Sequence, residues 1–212
     1  MIGKTKMNKL YATIGSGNCF KAHLAMNQLG IAYETVLIDV LKGESRGADF
    51  LAINPNGTVP FLRLADGRGI AESNAMIWYL AKGTHLFPKT NYEEAIAVQW
   101  MIYEQTHLEP NISPARFFTT IVPSRRAEME TQIADWQEKG AIGLARLNEH
   151  LKQHDFIAGV GYSIADIAVY GYTHVADEGG FDLDDYPAVL SWMNRVAGTD
   201  GYIPMNELSL AA

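Results

Sequence analysis

One stretch constrains the fold more than any other. It runs Asn54-Pro55-Asn56-Gly57-Thr58-Val59-Pro60, through Phe61-Leu62-Arg63-Leu64-Ala65-Asp66-Gly67-Arg68, to Glu72-Ser73-Asn74-Ala75. Asn-Pro and Asn-Gly make an opening turn, because these residues fix φ or favour φ > 0. A short apolar strand follows, and Asp66-Gly67 is a hairpin signal between two extended runs. Ser73 then reads as the N-cap of a helix whose Met76, Ile77, Leu80 and Ala81 recur at helical spacing.

The chain before this stretch alternates. Lys9–Thr13 reads as a strand, and the loop Ile14-Gly15-Ser16-Gly17-Asn18 leads into a helix from about Cys19 to Leu29. Phe20, Leu24 and Gln28 share one helical row, and Gly30 closes the helix. Ile31–Ile38 is a second strand, Lys42–Arg46 a polar loop and Ala48–Ile53 a short helix. Strand, helix, strand at this spacing is a βαβ unit with a right-handed crossover, and the whole order is βαβ-ββα.

After residue 82 the pattern changes. Residues 83–91 read as a linker, and from there only helical spacing appears. The expected helices are Tyr92–His107, stopped near Pro110; a short segment over Ser113–Ile121; and a long helix capped by Ser124 and reaching His154. Met129, Ile133, Trp136, Leu144, Leu147 and Leu151 form its apolar stripe, with Gly140 and Gly143 as weak points. Ser163 and Asp166 make an acidic variant of a capping box with a folding role, and Tyr186-Pro187 opens a last helix. The tail after Gly201 is unassigned. The expected division is an α/β domain over 1–82, a linker over 83–91 and an all-helical domain over 92–212.

Composition narrows the classes. Of 212 residues, 48% are hydrophobic and 19% charged, as in ordinary globular proteins. No run approaches the ~18 apolar residues of a membrane span, so no membrane partner is expected. The basic start, Met1 to Lys6, lacks the apolar core of a signal peptide, Met7 offers an alternative start after a disordered lead, and a cytoplasmic location is expected. One cysteine, Cys19, rules out an internal disulfide, a Cys-x-x-Cys pair and a structural zinc site. A net charge of −7 argues against nucleic acid. Residues 1–82 nevertheless hold nine Lys/Arg against six Asp/Glu, and a locally positive first third suits a small anionic ligand.

Two features within the central stretch suggest a site. Val59-Pro60 lies at the mouth of a strand, where a cis bond would leave the Val59 N–H and C=O to pair with an extended ligand. Ser73 offers a hydroxyl at a helix N-terminus, which attracts a carboxylate, while Glu72 suits an ammonium. Together they fit an α-amino acid head group. The alternative is a capped helix after a hairpin, with Glu72 merely solvated.

The run N-P-x-G-x-V-P, followed after a hairpin by E-S-x-A, resembles the glutathione-binding half of cytosolic glutathione S-transferases of bacterial type. The resemblance implies a thioredoxin-like N-terminal domain without its dithiol, an all-helical bundle as C-terminal domain, and a homodimer. It implies glutathione as co-substrate and no metal. Val59 would hold the cysteinyl part and Glu72 with Ser73 the γ-glutamyl end, with Thr58, Pro60 and Lys42 completing the set.

The thiol of glutathione, of pKa near ~8.5, must be held as thiolate, by hydrogen-bond donors and a helix N-terminus aimed at sulfur. Candidates are the Ser16 hydroxyl, the Asn18 amide and the N–H groups of Asn18, Cys19 and Phe20. Ser16-Gly17-Asn18 resembles the Ser/Thr-x-Asn arrangement of some bacterial members, which makes Ser16 the preferred donor and Asn18 its support. Cys19 is the rival: an acidified thiol at a helix N-terminus, faced by His23, would form a mixed disulfide with glutathione. Otherwise Cys19 and His23 are core residues, and Tyr11 is a packing residue.

The second substrate, a small electrophile or a disulfide, is expected between the domains, near Tyr103, Glu104, His107, Arg116 and Phe117. Tyr103 and His107 share a helix face, and plain helix surface is the alternative. Glu149, His150 and His154 have metal-like spacing but read as a solvated face, and Gly15-Ser16-Gly17 lacks the third glycine of a dinucleotide loop. The expected function is conjugation of the glutathione thiolate to small electrophiles. The alternatives are glutathione-dependent reduction of disulfides or peroxides, and a non-catalytic glutathione-binding or regulatory module.

Overall fold

The computed structural model describes residues 7–159 and 161–207. The six-residue lead and Val160 lie outside the described residues. The chain divides into two compact units, one over 7–84 with 200–207 and the other over 85–199.

In the first unit, β1 (Asn8–Ala12), α1 (Gly17–Gln28), β2 (Tyr33–Leu37), α2 (Ala48–Leu51), β3 (Phe61–Arg63), β4 (Gly69–Ala71) and α3 (Ser73–Ala81) follow in order. This is the thioredoxin-like arrangement: a four-stranded sheet ordered β2-β1-β3-β4. β1 pairs parallel with β2, Ala12 opposite Leu37, and antiparallel with β3, Tyr11 opposite Phe61. The β3–β4 hairpin closes where expected: the Leu64 N–H bonds the Arg68 carbonyl at 2.8 Å, and Gly67 takes the φ of 95° the turn demands.

Side-chain alternation sorts the core. Tyr11 and Phe61 share one sheet face with Phe50 of α2, and Val59 and Ala71 pack against this cluster. Leu10, Ala12 and Leu62, all fully buried, point the other way; α1 packs against α3, and Phe20 and Leu24 of the first helix and Met76 and Ile77 of the second are fully buried. The tail returns here: Asn27 Nδ2 donates to the Gly201 carbonyl at 2.7 Å.

The second unit is all helix and differs from the expected pattern at the prolines. α4 (Asn91–Tyr103) continues through a π-helical turn at Glu104–Leu108 into α5 (Glu109–Arg116) and a second π turn at Phe117–Ile121. Pro110 and Pro114 do not end the helix. The widened turns flank the proline-bearing segment, where missing N–H groups and ring bulk would break an ordinary α-helix. Ser124 caps nothing: two short 3-10 turns, Pro123–Arg125 and Ala127–Met129, precede α6 (Glu130–Leu151).

Gly140 and Gly143 prove to be points of close approach. A Cβ on Gly140 would lie 2.5 Å from Phe181 Cε1, and one on Gly143 2.9 Å from Leu108 Cδ2 and 3.1 Å from the His107 carbonyl oxygen. α7 (Ile164–Thr173) starts at the expected capping box, and α8 is Pro187–Ala197. Asp166 is fully buried and does more than cap. Its carboxylate accepts from the N–H of Ile157 (2.8 Å) and Ser163 (2.9 Å), from Ser163 Oγ (3.2 Å) and from Trp192 Nε1 (2.9 Å), tying the loop before α7 to α8. Burial still outweighs these donors and pushes its carboxyl up to about 6.

Candidate functional site

The N-termini of α1 and α3 come together in the first unit. Ser16 is the N-cap of α1, and its Oγ accepts the Cys19 N–H at 3.3 Å. The Phe20 N–H goes to the Ser16 carbonyl at 2.9 Å. Two of the three N–H groups expected to face a sulfur are therefore spent within the helix start.

Cys19 does not carry an acidified thiol. It is fully buried, and burial pushes its thiol up to about 11, against the smaller opposing contacts of Ser16 and the Thr13 N–H. Desolvation of a thiolate outweighs the field of one helix end. His23 does not face it in a pair either: its Nδ1 is hydrogen-bonded to Tyr33 Oη, and burial lowers the imidazole to about 4 and raises the phenol to about 12. Both residues are core, as is Tyr11.

The other helix start departs from its expected cap. Ser73 is the first residue of α3, and Glu72 occupies the capping position with φ 68° and ψ 114°. It is the only non-glycine residue at positive φ among the described residues, a conformation costing about 1–3 kcal/mol. The inversion leaves the Glu72 side chain exposed and Ser73 buried. Ser73 Oγ, freed from capping its own helix, donates to Asn18 Oδ1 at 3.1 Å. Sequence spacing gave the Glu-Ser pair but no signal for this bond or for the inverted backbone.

The turn before β3 supplies the third part. The Val59–Pro60 bond is cis, and the Val59 backbone forms no hydrogen bond among the described residues. Thr58 is anchored through its carbonyl, which accepts from Asn54 Nδ2 at 2.8 Å. Gly57, at φ 62°, has no room for a side chain: a Cβ would sit 2.8 Å from Arg46 Nη1. Lys42 lies on the exposed loop after β2, and its Nζ pairs with Asp39 Oδ2 at 2.9 Å.

The remaining candidates belong to the second unit. Tyr103 stacks on His107 with ring centres 4.4 Å apart, and its hydroxyl donates to the Gly143 carbonyl at 3.3 Å. Arg116 is buried with its Nε on Glu178 Oε2 at 2.8 Å, and Glu104 is fully buried. His150 and His154 stack on each other at 4.2 Å, with His150 also against Trp100, so this face is not simply solvated. Among the described residues no group of three His, Cys, Asp or Glu could hold a metal ion, and no helix is long and apolar enough to cross a membrane.

Residues 15–82 match the family described as glutathione S-transferase, N-terminal domain, and residues 108–200 the corresponding C-terminal domain. A solved structure of a possible glutathione S-transferase from Rhodopseudomonas palustris is 48% identical, with a TM-score of 0.92 over 94% of this chain and 98% of that one. Glutathione S-transferase 3 of Zea mays is 32% identical over 168 residues, 74% of this chain and 73% of that protein. The disulfide-bond oxidoreductase YfcG of Escherichia coli strain K12 is 29% identical over 192 residues, 84% of this chain and 85% of that protein.

Proposed function

Since the chain belongs to the glutathione S-transferase family in both its N-terminal and its C-terminal domain, we propose that it binds glutathione and joins the intact tripeptide, through its thiolate sulfur, to a small electrophile. The observation that carries this reading is the inverted backbone at Glu72. Strain of this kind persists where the surroundings over-determine it, and here it turns the exposed Glu72 side chain outward at the start of α3.

Glutathione supplies the nucleophilic sulfur. Glu72 takes the γ-glutamyl ammonium, and the first-turn N–H groups of α3 take the adjacent carboxylate, which the helix dipole also favours. The Val59 N–H and C=O pair with the cysteinyl backbone as a neighbouring strand would, with Thr58 and Pro60 shaping that edge and Lys42 offering a cation to the glycyl carboxylate. Ser16 donates its hydroxyl to the sulfur; the Cys19 N–H on the same oxygen polarises it and strengthens the donor. With the thiol proton lost to solvent, the sulfur lone pair forms the new S–C bond while the leaving group departs with the electron pair of the bond it breaks. Tyr103, His107 and Arg116 are the proposed contacts for the electrophile. A cytoplasmic homodimer completes the reading.

Similarity to a disulfide-bond oxidoreductase favours a second reading. One glutathione thiolate attacks a disulfide and displaces a thiolate; a second resolves the mixed disulfide and leaves glutathione disulfide. The buried, high-pKa Cys19 takes no part. Calorimetric titration of the purified protein with glutathione tests the shared premise, and absence of heat would end both readings. Parallel assays with a dinitrohalobenzene and with hydroxyethyl disulfide separate them.

A further inference from the structure

We propose that Thr106 is a positioning residue that holds His107 in its Nδ1–H tautomer, and that the acceptor this leaves at Nε2 selects second substrates carrying an O–H or N–H donor. The inference deepens the glutathione reading above and rests on it for the place of the electrophile beside Tyr103 and His107. Thr106 and His107 lie in the π-helical turn Glu104–Leu108, a local widening of a kind frequent at functional sites. The tautomer comes from counting protons. Thr106 Oγ1 lies 2.9 Å from the Ile102 carbonyl oxygen, 3.4 Å from that of Tyr103 and 2.7 Å from His107 Nδ1. A carbonyl can only accept, so the single hydroxyl proton goes to the backbone, chiefly to Ile102. Nδ1 is then the donor to Oγ1, and Nε2 of the neutral imidazole is an acceptor.

His107 is exposed, yet it is held at three points. Besides the Thr106 contact, its ring stacks on Tyr103 at 4.4 Å with the planes 7° apart, and its carbonyl accepts from the buried Asn111 Nδ2 at 2.7 Å. An exposed side chain ordinarily keeps its rotamer freedom, and holding one still costs entropy. The Tyr103 hydroxyl donates to the Gly143 carbonyl, which fixes the ring beneath. Tyr103 has thus spent its proton on Gly143 and His107 its N–H on Thr106, so neither ring has a donor left for a substrate. Nε2 itself makes no hydrogen bond among the described residues. A substrate hydroxyl or amide N–H finds a fixed partner there, whereas an ether or carbonyl oxygen in its place meets a lone pair.

The test joins a spectroscopic and a kinetic readout. At about pH 8, where an ordinary imidazole is neutral, the nitrogen NMR shifts of His107 are expected to show Nδ1 protonated. For kinetics, 3- and 4-hydroxyphenacyl bromide are compared with their methoxy counterparts. In each the thiolate sulfur forms the S–C bond and bromide leaves with the electron pair. Relative to the uncatalysed rates, kcat/KM is expected to favour a hydroxyl compound by about three- to tenfold, through KM. His107→Phe keeps a stacking ring and brings that ratio to about one. Thr106→Val moves the shifts towards a mixture of tautomers and lowers the ratio, and Thr106→Ser restores both. Wild-type His107 protonated at Nε2, a wild-type ratio of one for both pairs, or a ratio that survives His107→Phe would each overturn the proposal. Protein that takes up no glutathione would instead defeat the reading beneath it, and the tautomer would still be read from the nitrogen shifts.

Discussion

The Glu72 backbone allows stability and binding to be separated by two substitutions at one position. Its side chain is exposed and makes no hydrogen bond or ion pair among the described residues, so removing it costs the fold nothing. A residue with a Cβ held at φ 68° costs about 1–3 kcal/mol. Glycine relieves that strain but costs about 0.5–1 kcal/mol through a freer unfolded chain. Glu72→Gly is therefore expected to gain about 1 kcal/mol, within a span of about 0–2.5 kcal/mol, and at about 2–4 °C per kcal/mol its Tm rises by a few degrees. Glu72→Ala keeps the Cβ and the strain, and its Tm stays within about 1 °C of wild type. Both variants lose the charge-assisted contact to the γ-glutamyl ammonium, worth about 1.5–3 kcal/mol, so glutathione binds about 10- to 150-fold more weakly. Scanning calorimetry without ligand and titration calorimetry with glutathione read the two effects. A glycine variant that melts at or below the alanine variant would refute the strain argument.

Other outcomes follow from the same geometry. Cys19→Ala leaves the conjugation rate within about twofold, since the thiol is buried and protonated, and native protein resists thiol reagents until it unfolds. Asp166→Ala strands four donors and is expected to cost more than about 3 kcal/mol in denaturant titration. Asp166 also shapes the pH dependence. Its folded pKa of about 6 lies above the ordinary carboxylate value of 3.8, so the native state holds the extra proton and stability falls as pH rises from about 4 to 6. His23 acts in the opposite sense: its folded pKa of about 4 lies below 6.5, so its contribution is present above 6.5 and is lost as pH falls towards 4. In Asp166→Asn the first effect is gone, and stability should rise more steeply with pH over that window. Gly140→Ala drives a Cβ to 2.5 Å from the Phe181 ring, and overpacking of about 1–3 kcal/mol exceeds the ~1 kcal/mol gained in helix propensity.

What the sequence determined was whatever local chemistry dictates. The Asp66-Gly67 hairpin, the βαβ unit, the Ser163/Asp166 box and the Pro187 helix start depend on a few adjacent residues, and each formed where it was read. The family resemblance was legible because turn, proline and Glu-Ser pair stand in one short run. Tertiary structure decided whatever depends on partners far along the chain. Pro110 and Pro114 read as breaks, but packing held the helix together through two widened turns. Gly140 and Gly143 read as weak points because their neighbours Phe181 and Leu108 are distant in sequence. The Cys19 thiol looked acidified by its helix end, and only its complete burial reversed the sign. The Ser73–Asn18 bond joins two helix starts that no local pattern relates, and it forms because α1 and α3 pack together. Propensity and turn chemistry act over a few residues, whereas burial and the single proton of a hydroxyl are allotted by the folded chain as a whole.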